Sequence, residues 1–214
     1  MQIVRATQDL EADTELVFAY NTGHEYLVYG DTQKALSSWG FTCDCKFCDD
    51  KKATSTETMQ RPIILDTDLY SAICGPVWQL TRIRTLIEQL RETFPSDSQG
   101  VPRLELWHVY LNLGSRMIRH GRHAEAIKWI VMALEALGYG ITACPPRKGP
   151  KEPALKITQW GQGSHVVLGG FVRLAKAYEV VCPQLEVVAK QYAEPFHSIL
   201  YGEKETFSSV YANY

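Results

Sequence analysis

A helical period in the apolar residues from position 80 onwards constrains the fold of this chain more than any other feature of its sequence. The first series recurs at steps of three and four residues, which is the spacing of one helix face. It consists of Leu80, Ile83, Leu86, Ile87, Leu90 and Phe94. Further helices are predicted over about 103–120, 123–137, 165–181 and 184–200. The chain is therefore predicted to be predominantly α, and strand-prone runs near its start place it in the α+β class.

Small residues recur at a regular spacing in the predicted helix pair at 104–137. Gly114, Ala126 and Ala133 are separated by twelve and seven residues. This spacing matches the small-residue positions of a tetratricopeptide-like helical hairpin, whose repeat is about 34 residues. Small side chains at these positions let two antiparallel helices approach closely. The last two helices resemble a degenerate second copy, and a generic pair of antiparallel helices is the alternative explanation.

Changes in composition divide the chain into three predicted parts. Residues 1–52 contain strand-prone apolar runs and a cluster of cysteines. Residues 53–67 begin with a polar stretch rich in Ser and Thr and are predicted to be a linker, and residues 68–214 form the helical domain. Within that domain, residues 138–164 are predicted to be a long loop because they contain four prolines and several glycines.

Charge and hydropathy exclude several classes of function. The formal net charge is −2, and the basic residues are scattered, whereas a nucleic-acid-binding surface is strongly basic. The first 15 residues contain no apolar run of the kind found in secretory signals, and no stretch reaches the ~20 apolar residues that cross a bilayer. We therefore expect an intracellular protein of the nucleus or cytoplasm, with no direct nucleic-acid or membrane partner. In that compartment its six cysteines are more often thiols or metal ligands than disulfides.

Three cysteines within six residues predict a metal site. Cys43, Cys45 and Cys48 form a Cys-x-Cys-x2-Cys motif, whose short spacing lets one turn direct three thiolates at a single Zn²⁺ ion. A structural zinc site takes four protein ligands. The candidates for the fourth are Cys74, Cys144, Cys182 and His24. None lies at a typical ligand spacing from the motif, so the fourth ligand stays open. A catalytic zinc site with three protein ligands and a water is a weaker alternative, because no His or carboxylate motif accompanies the thiolates.

Residues 5–48 resemble the C-terminal end of a SET domain followed by its post-SET segment. Two stretches carry this resemblance, RATQDLEADTELVFAYN and ALSSWGFTCDCKFCDD. The matching positions are Ala6, Asp9, Leu10, Glu15, Leu16, Tyr20, Trp39, Phe41, Cys43, Cys45 and Cys48. Asp13 and Thr14 replace the Gly-Glu pair of the family at a turn. The helical region after the cysteines is also similar to that of the SET-and-MYND branch and of related fungal SET proteins.

The resemblance implies a chemistry, because most SET proteins are protein-lysine methyltransferases that use S-adenosylmethionine. It implies that Tyr20 lines the methyl-transfer channel and orients the lysine amine through its hydroxyl, which is a positioning role. It also implies that Phe41 and Trp39 line the lysine channel or the edge of the cofactor. The three cysteines would hold a zinc ion that folds the post-SET segment over the active site. A lysine-containing protein or peptide is the implied substrate.

The SET-domain segments that precede the matched motifs have no counterpart in this sequence. A SET domain carries a Gly-rich cofactor segment and an Asn-His-Ser-Cys motif, and in the SET-and-MYND branch the cysteine of this motif supplies the fourth zinc ligand. Neither segment occurs in the 214 residues. We therefore expect a partial SET protein that is inactive alone and that S-adenosylmethionine binds only to a complete SET domain. The alternative is a non-enzymatic module, in which the tetratricopeptide-like helices bind a protein partner and the zinc knuckle is a structural staple.

Overall fold

The computed structural model of this protein describes residues 11–14, 28–52, 56–76, 78–93, 103–144, 154–161 and 163–212. Over these residues the chain is mostly helical, with paired helices and a two-stranded antiparallel sheet. The predicted class, α+β and predominantly α, is confirmed. The strands predicted within residues 1–20 lie outside the described residues, apart from a turn at 11–14 in which Thr14 N donates to Glu11 O.

The chain forms two compact units, a cysteine unit of residues 15–101 and a helical unit of residues 1–14 and 102–214. The three-part domain division made from the sequence stays a prediction. The helices of the cysteine unit are α1 (Tyr29–Leu36), α2 (Lys46–Lys52), α3 (Thr56–Cys74) and α4 (Leu80–Glu92). A short 3₁₀ turn, Ser37–Trp39, extends α1.

Residues 56–67 of helix α3 lie in the stretch, 53–67, that the sequence predicted to be a linker. The polar residues at its start concealed an apolar series, because Leu65, Leu69 and Ile73 recur every four residues and are buried. Helix α3 packs against α4, in which Ile83, Leu86, Ile87 and Leu90 of the predicted apolar face are buried. Pro62 lies inside α3, where a sequence-based assignment expects a helix to be interrupted.

The helical unit contains α5 (Trp107–Arg119), α6 (His123–Ala136), β1 (Gly140–Cys144), β2 (Ala154–Gln159), α7 (His165–Val181), α8 (Pro183–Tyr201) and α9 (Phe207–Ala212). Helices α5 and α6 pack together, as do α7 and α8, and α6 also packs on α7. These four helices begin and end within about four residues of the predicted bounds. Among the described residues, none of the helices is both long and apolar enough to span a membrane.

The close approach predicted for α5 and α6 is present at Gly114. A Cβ atom added at this glycine would lie 2.7 Å from Ile130 Cγ1 and 3.4 Å from the carbonyl oxygen of Ala126. Ala126 and Ala133 are buried on the facing helix. The small side chains therefore set the separation of the two helices, as the spacing indicated.

The loop predicted over 138–164 is wrong in part, because strands β1 and β2 form an antiparallel hairpin there. In β2, the buried side chains of Leu155 and Ile157 alternate with exposed neighbours. This two-residue period is short, and the nearby prolines obscured it. Those prolines lie in residues 145–153, between the strands and outside the described residues.

Candidate metal centre

The three cysteines of the motif lie at the junction of two short helices. Helix α1 ends in the 3₁₀ turn, which Gly40 closes by donating its backbone N–H to Ser37 O at 3.1 Å. Gly40 has a φ of 78°, in the left-handed region that favours glycine, so the chain can reverse its direction here. Residues 41–44 then form an irregular loop that leads into α2.

The sulfur atoms of Cys43, Cys45 and Cys48 all lie within 4.8 Å of one another. Thiolates around a tetrahedral zinc ion, each at about 2.3 Å from the metal, are about 3.8 Å apart. To coordinate a zinc ion, the sulfur atoms would therefore have to approach one another by only about 1 Å. Among the described residues, this is the one group of three or more His, Cys, Asp or Glu side chains with such geometry.

The three thiols differ in exposure and in acidity. Cys48 is buried in α2, Cys43 is half-buried and Cys45 is exposed. A hydrogen bond from the Cys45 backbone N–H lowers the pKa of Cys43, because it stabilises the thiolate. Burial raises the pKa of Cys48 to about 12, because it disfavours the charged form. A coordinated dication compensates this penalty, so the donor set fits a metal that binds thiolates.

Among the side chains that the structure describes, no fourth ligand joins the three motif cysteines. Among the described residues, the converging group contains only the three motif cysteines. Cys74 is exposed at the end of α3, and Cys182 is buried between α7 and α8. Cys144 ends β1, and His24 lies outside the described residues. The fourth ligand therefore stays open.

The predicted aromatic residues flank the turn that leads to the three cysteines. Trp39 and Phe41 lie on either side of Gly40, and 60% of the Trp39 surface and 37% of the Phe41 surface are exposed. Two large apolar side chains at the surface of one turn suit contact with a ligand or another chain segment. Their role at a substrate channel stays a prediction. Tyr20, the predicted catalytic residue, lies outside the described residues.

Sequence reasoning missed Gln33 in α1. Its side-chain amide donates from Nε2 to Cys43 O at 2.9 Å and accepts at Oε1 from Cys43 N at 2.8 Å. No sequence signal points to this pairing, because glutamine is a common residue on helix surfaces. The contact depends on the path of the chain through Gly40.

A second contact holds α2 to α1. Lys52 Nζ lies 5.5 Å from the centre of the Tyr29 ring and 2.5 Å from Asp49 Oδ1. The Lys52 and Asp49 side chains are about half exposed, so solvent screening weakens this ion pair. The cysteine loop thus lies between α1 and α2 in the sequence, and Gln33 of α1 forms two hydrogen bonds with it.

Comparison with known proteins relates this chain to a methyltransferase. No protein-family model matches it. A protein of Gibberella zeae named "Methyltransferase" is 38% identical over 211 residues, which is 98% of this chain. The matched region is 29% of the length of that protein, so the chain spans under a third of its relative. The relation includes both the cysteine unit and the helical unit.

Proposed function

We propose that this chain contains the end of a SET domain, its post-SET zinc knuckle and a helical domain of a protein-lysine methyltransferase. The observation that carries the proposal is the convergence of three cysteine sulfurs, directly after Trp39 and Phe41, in the order of the post-SET segment. The similarity to a fungal methyltransferase over 98% of the chain supports the same assignment.

Zinc is the proposed metal because the donors are thiolates. Soft sulfur ligands favour Zn²⁺ or iron–sulfur clusters over magnesium and calcium, which prefer oxygen. Cys43, Cys45 and Cys48 would hold the ion, which would supply structural cross-linking rather than chemistry. The fourth ligand of a closed structural site would come from outside the motif.

In the proposed reaction S-adenosylmethionine would supply the methyl group: the neutral lysine amine would bond to the methyl carbon as the carbon–sulfur bond breaks, and S-adenosylhomocysteine would leave. In this chain, the Tyr20 hydroxyl would orient the amine toward the methyl group. Phe41 and Trp39 would provide an apolar wall for the aliphatic stem of the lysine and exclude water around it. Because Phe41 is two residues before Cys43, a metal bound at the cysteines would also fix the position of this wall.

The proposal is tested by sequencing the reading frame that contains this chain and by assaying the protein that it encodes for methyl transfer. We expect an in-frame Asn-His-Ser-Cys motif upstream of Met1, and methyl transfer from labelled S-adenosylmethionine to lysine peptides. Tyr20→Phe should lower kcat by about 100-fold, because the orienting hydroxyl is lost. The matched control is Tyr29→Phe, which keeps the ring next to Lys52. Transfer to no lysine, or an equal loss in both variants, would contradict the proposal.

The 214-residue chain alone gives a complementary measurement. We expect it to show no micromolar affinity for S-adenosylmethionine by calorimetry, since the cofactor motifs of a SET domain are not in its sequence. Micromolar binding to the isolated chain would overturn this expectation and place a cofactor site within its residues.

A second candidate function is a non-enzymatic interaction module. The packing of α5 with α6 and of α7 with α8, as successive helix pairs, favours it, because stacked pairs provide extended surfaces for a protein partner. The zinc knuckle would then serve only to stabilise the fold. A reading frame without the upstream motif, together with a zinc-loaded protein that transfers no methyl group, would favour this candidate.

A further inference from the structure

The backbone of each motif cysteine is held in a different way. Cys48 lies within α2, and the carbonyl of Cys45 accepts a 2.9 Å hydrogen bond from Asp49 N in the first turn of that helix. Cys43 lies in the irregular loop before α2, so it is neither part of the helix nor hydrogen-bonded to its first turn. Its backbone is held instead by Gln33, ten residues earlier in α1.

The Gln33 amide pairs with Cys43 in the way that a residue of an adjacent antiparallel strand would. One hydrogen bond restrains the carbonyl of Cys43 and the other restrains its N–H, at 2.9 and 2.8 Å. These two groups flank the Cα atom, so fixing both fixes the direction of the Cα–Cβ bond. The sulfur is not part of the pair and can bind a metal.

We infer that Gln33 is a positioning residue for the metal centre. It holds Cys43 in the arrangement that the metal requires before the metal arrives, so less conformational entropy is lost on binding. The inference rests on the proposed zinc knuckle and adds a residue that the motif does not contain. Residues that orient metal ligands typically contribute about 10–100-fold to metal affinity.

Three variants of α1 isolate this role in the 214-residue chain. Gln33→Met keeps the length and helix propensity of the side chain and removes both hydrogen bonds. Gln33→Asn keeps the amide and shortens its reach by one methylene. Lys34→Met is the matched control, because Lys34 is the next residue on the same helix and its side chain is exposed.

The measurements are the zinc dissociation constant, from competition with a chromophoric chelator, and the thiolate-to-metal absorption of the cobalt-substituted protein. We expect Gln33→Met and Gln33→Asn to raise the zinc Kd by about 10–100-fold and to weaken the cobalt band at equal metal concentration. Lys34→Met should match the wild type in both. Circular dichroism of the metal-free proteins should be the same for all, since the change is local.

The outcomes separate this inference from the proposed function. A wild-type chain that binds no zinc would overturn the knuckle itself, and the inference with it. A wild-type chain that binds zinc, with a Gln33→Met variant within about twofold of its Kd, would overturn the positioning role alone. An equal weakening of zinc binding in Lys34→Met would also overturn the positioning role of Gln33, because the effect would then come from a less stable α1.

Discussion

Two regions of this molecule maintain their structure by different means. In the helical unit, large apolar side chains are fully buried between the paired helices: Leu113, Met117, Ile130, Phe171 and Tyr178. In the cysteine segment, residues 28–52, the buried side chains among those described are Thr32, Leu36, Cys48 and Lys51. The helical unit therefore has an apolar core, whereas the described side chains of the cysteine segment bury little apolar area.

This difference indicates where a bound metal would add most to the stability of the chain. A short segment without a core gains its stability from cross-links or from a bound ion, and the free energy of metal binding then acts as folding free energy. A unit of packed helices gains its stability from burial and has no such requirement. The cysteine segment should thus respond to metal, and the helical unit should respond to changes in its core.

Removal of the metal should have the largest effect and should act on the cysteine segment alone. In zinc-finger peptides, metal binding contributes about 10–16 kcal/mol, and its loss unfolds the peptide. We expect a chelator to abolish amide-exchange protection in residues 28–52 of the zinc-loaded protein. Protection in 107–136 and 165–201 should persist. Equal loss in both regions, or none in either, would remove the distinction between them.

Replacing Phe171, in the aromatic core, with a smaller residue should destabilise the helical unit alone. Phe171 is fully buried, and its ring centre lies 5.9 Å from that of Phe196 and 5.6 Å from that of Tyr192. Phe171→Ala should lower the free energy of unfolding by about 3–5 kcal/mol in urea titrations. The amount of zinc bound should not change. The control is Val187→Ala, at an exposed position of α8, and a comparable loss there would contradict the assignment of the core.

A larger side chain at the close contact between α5 and α6 should also destabilise the helical unit, but by less. Gly114→Val should lower the free energy of unfolding by about 1–3 kcal/mol, because its Cβ would overlap the buried Ile130 side chain. Gly30→Val is the matched control in α1, since a Cβ at Gly30 meets nothing within 4 Å. Thermal unfolding of both variants checks this prediction. Similar shifts would show that helix propensity, rather than close packing, sets the effect.

The sequence predicted those helices whose apolar period is long. The α7 prediction over 165–181 coincides with the observed His165–Val181, because buried residues recur along its whole length. Helix α3 was missed, because its first turns are polar and its apolar series begins only near Pro62. The β1–β2 hairpin was missed because its alternation extends over few residues beside a proline-rich connection.

The convergence of the three cysteines was predictable from their spacing, whereas the contact that holds Cys43 was not. The positions of Cys43, Cys45 and Cys48 in the sequence were sufficient to predict that their thiols converge. The pairing of Gln33 with Cys43 depends on a reversal of the chain at Gly40, which brings a helix side chain next to the loop. A tertiary contact of this kind leaves no local pattern in the sequence.

Metal quantitation on the purified chain is the most direct test of a zinc centre at the three motif cysteines. After reconstitution with zinc and removal of excess metal, we expect about one zinc ion per wild-type chain by mass spectrometry. The variant with serine at positions 43, 45 and 48 should hold none, and Cys74→Ser, at an exposed cysteine outside the converging group, should hold the wild-type amount. A wild-type chain without zinc, or equal zinc in the triple serine variant, would contradict a zinc centre at these cysteines.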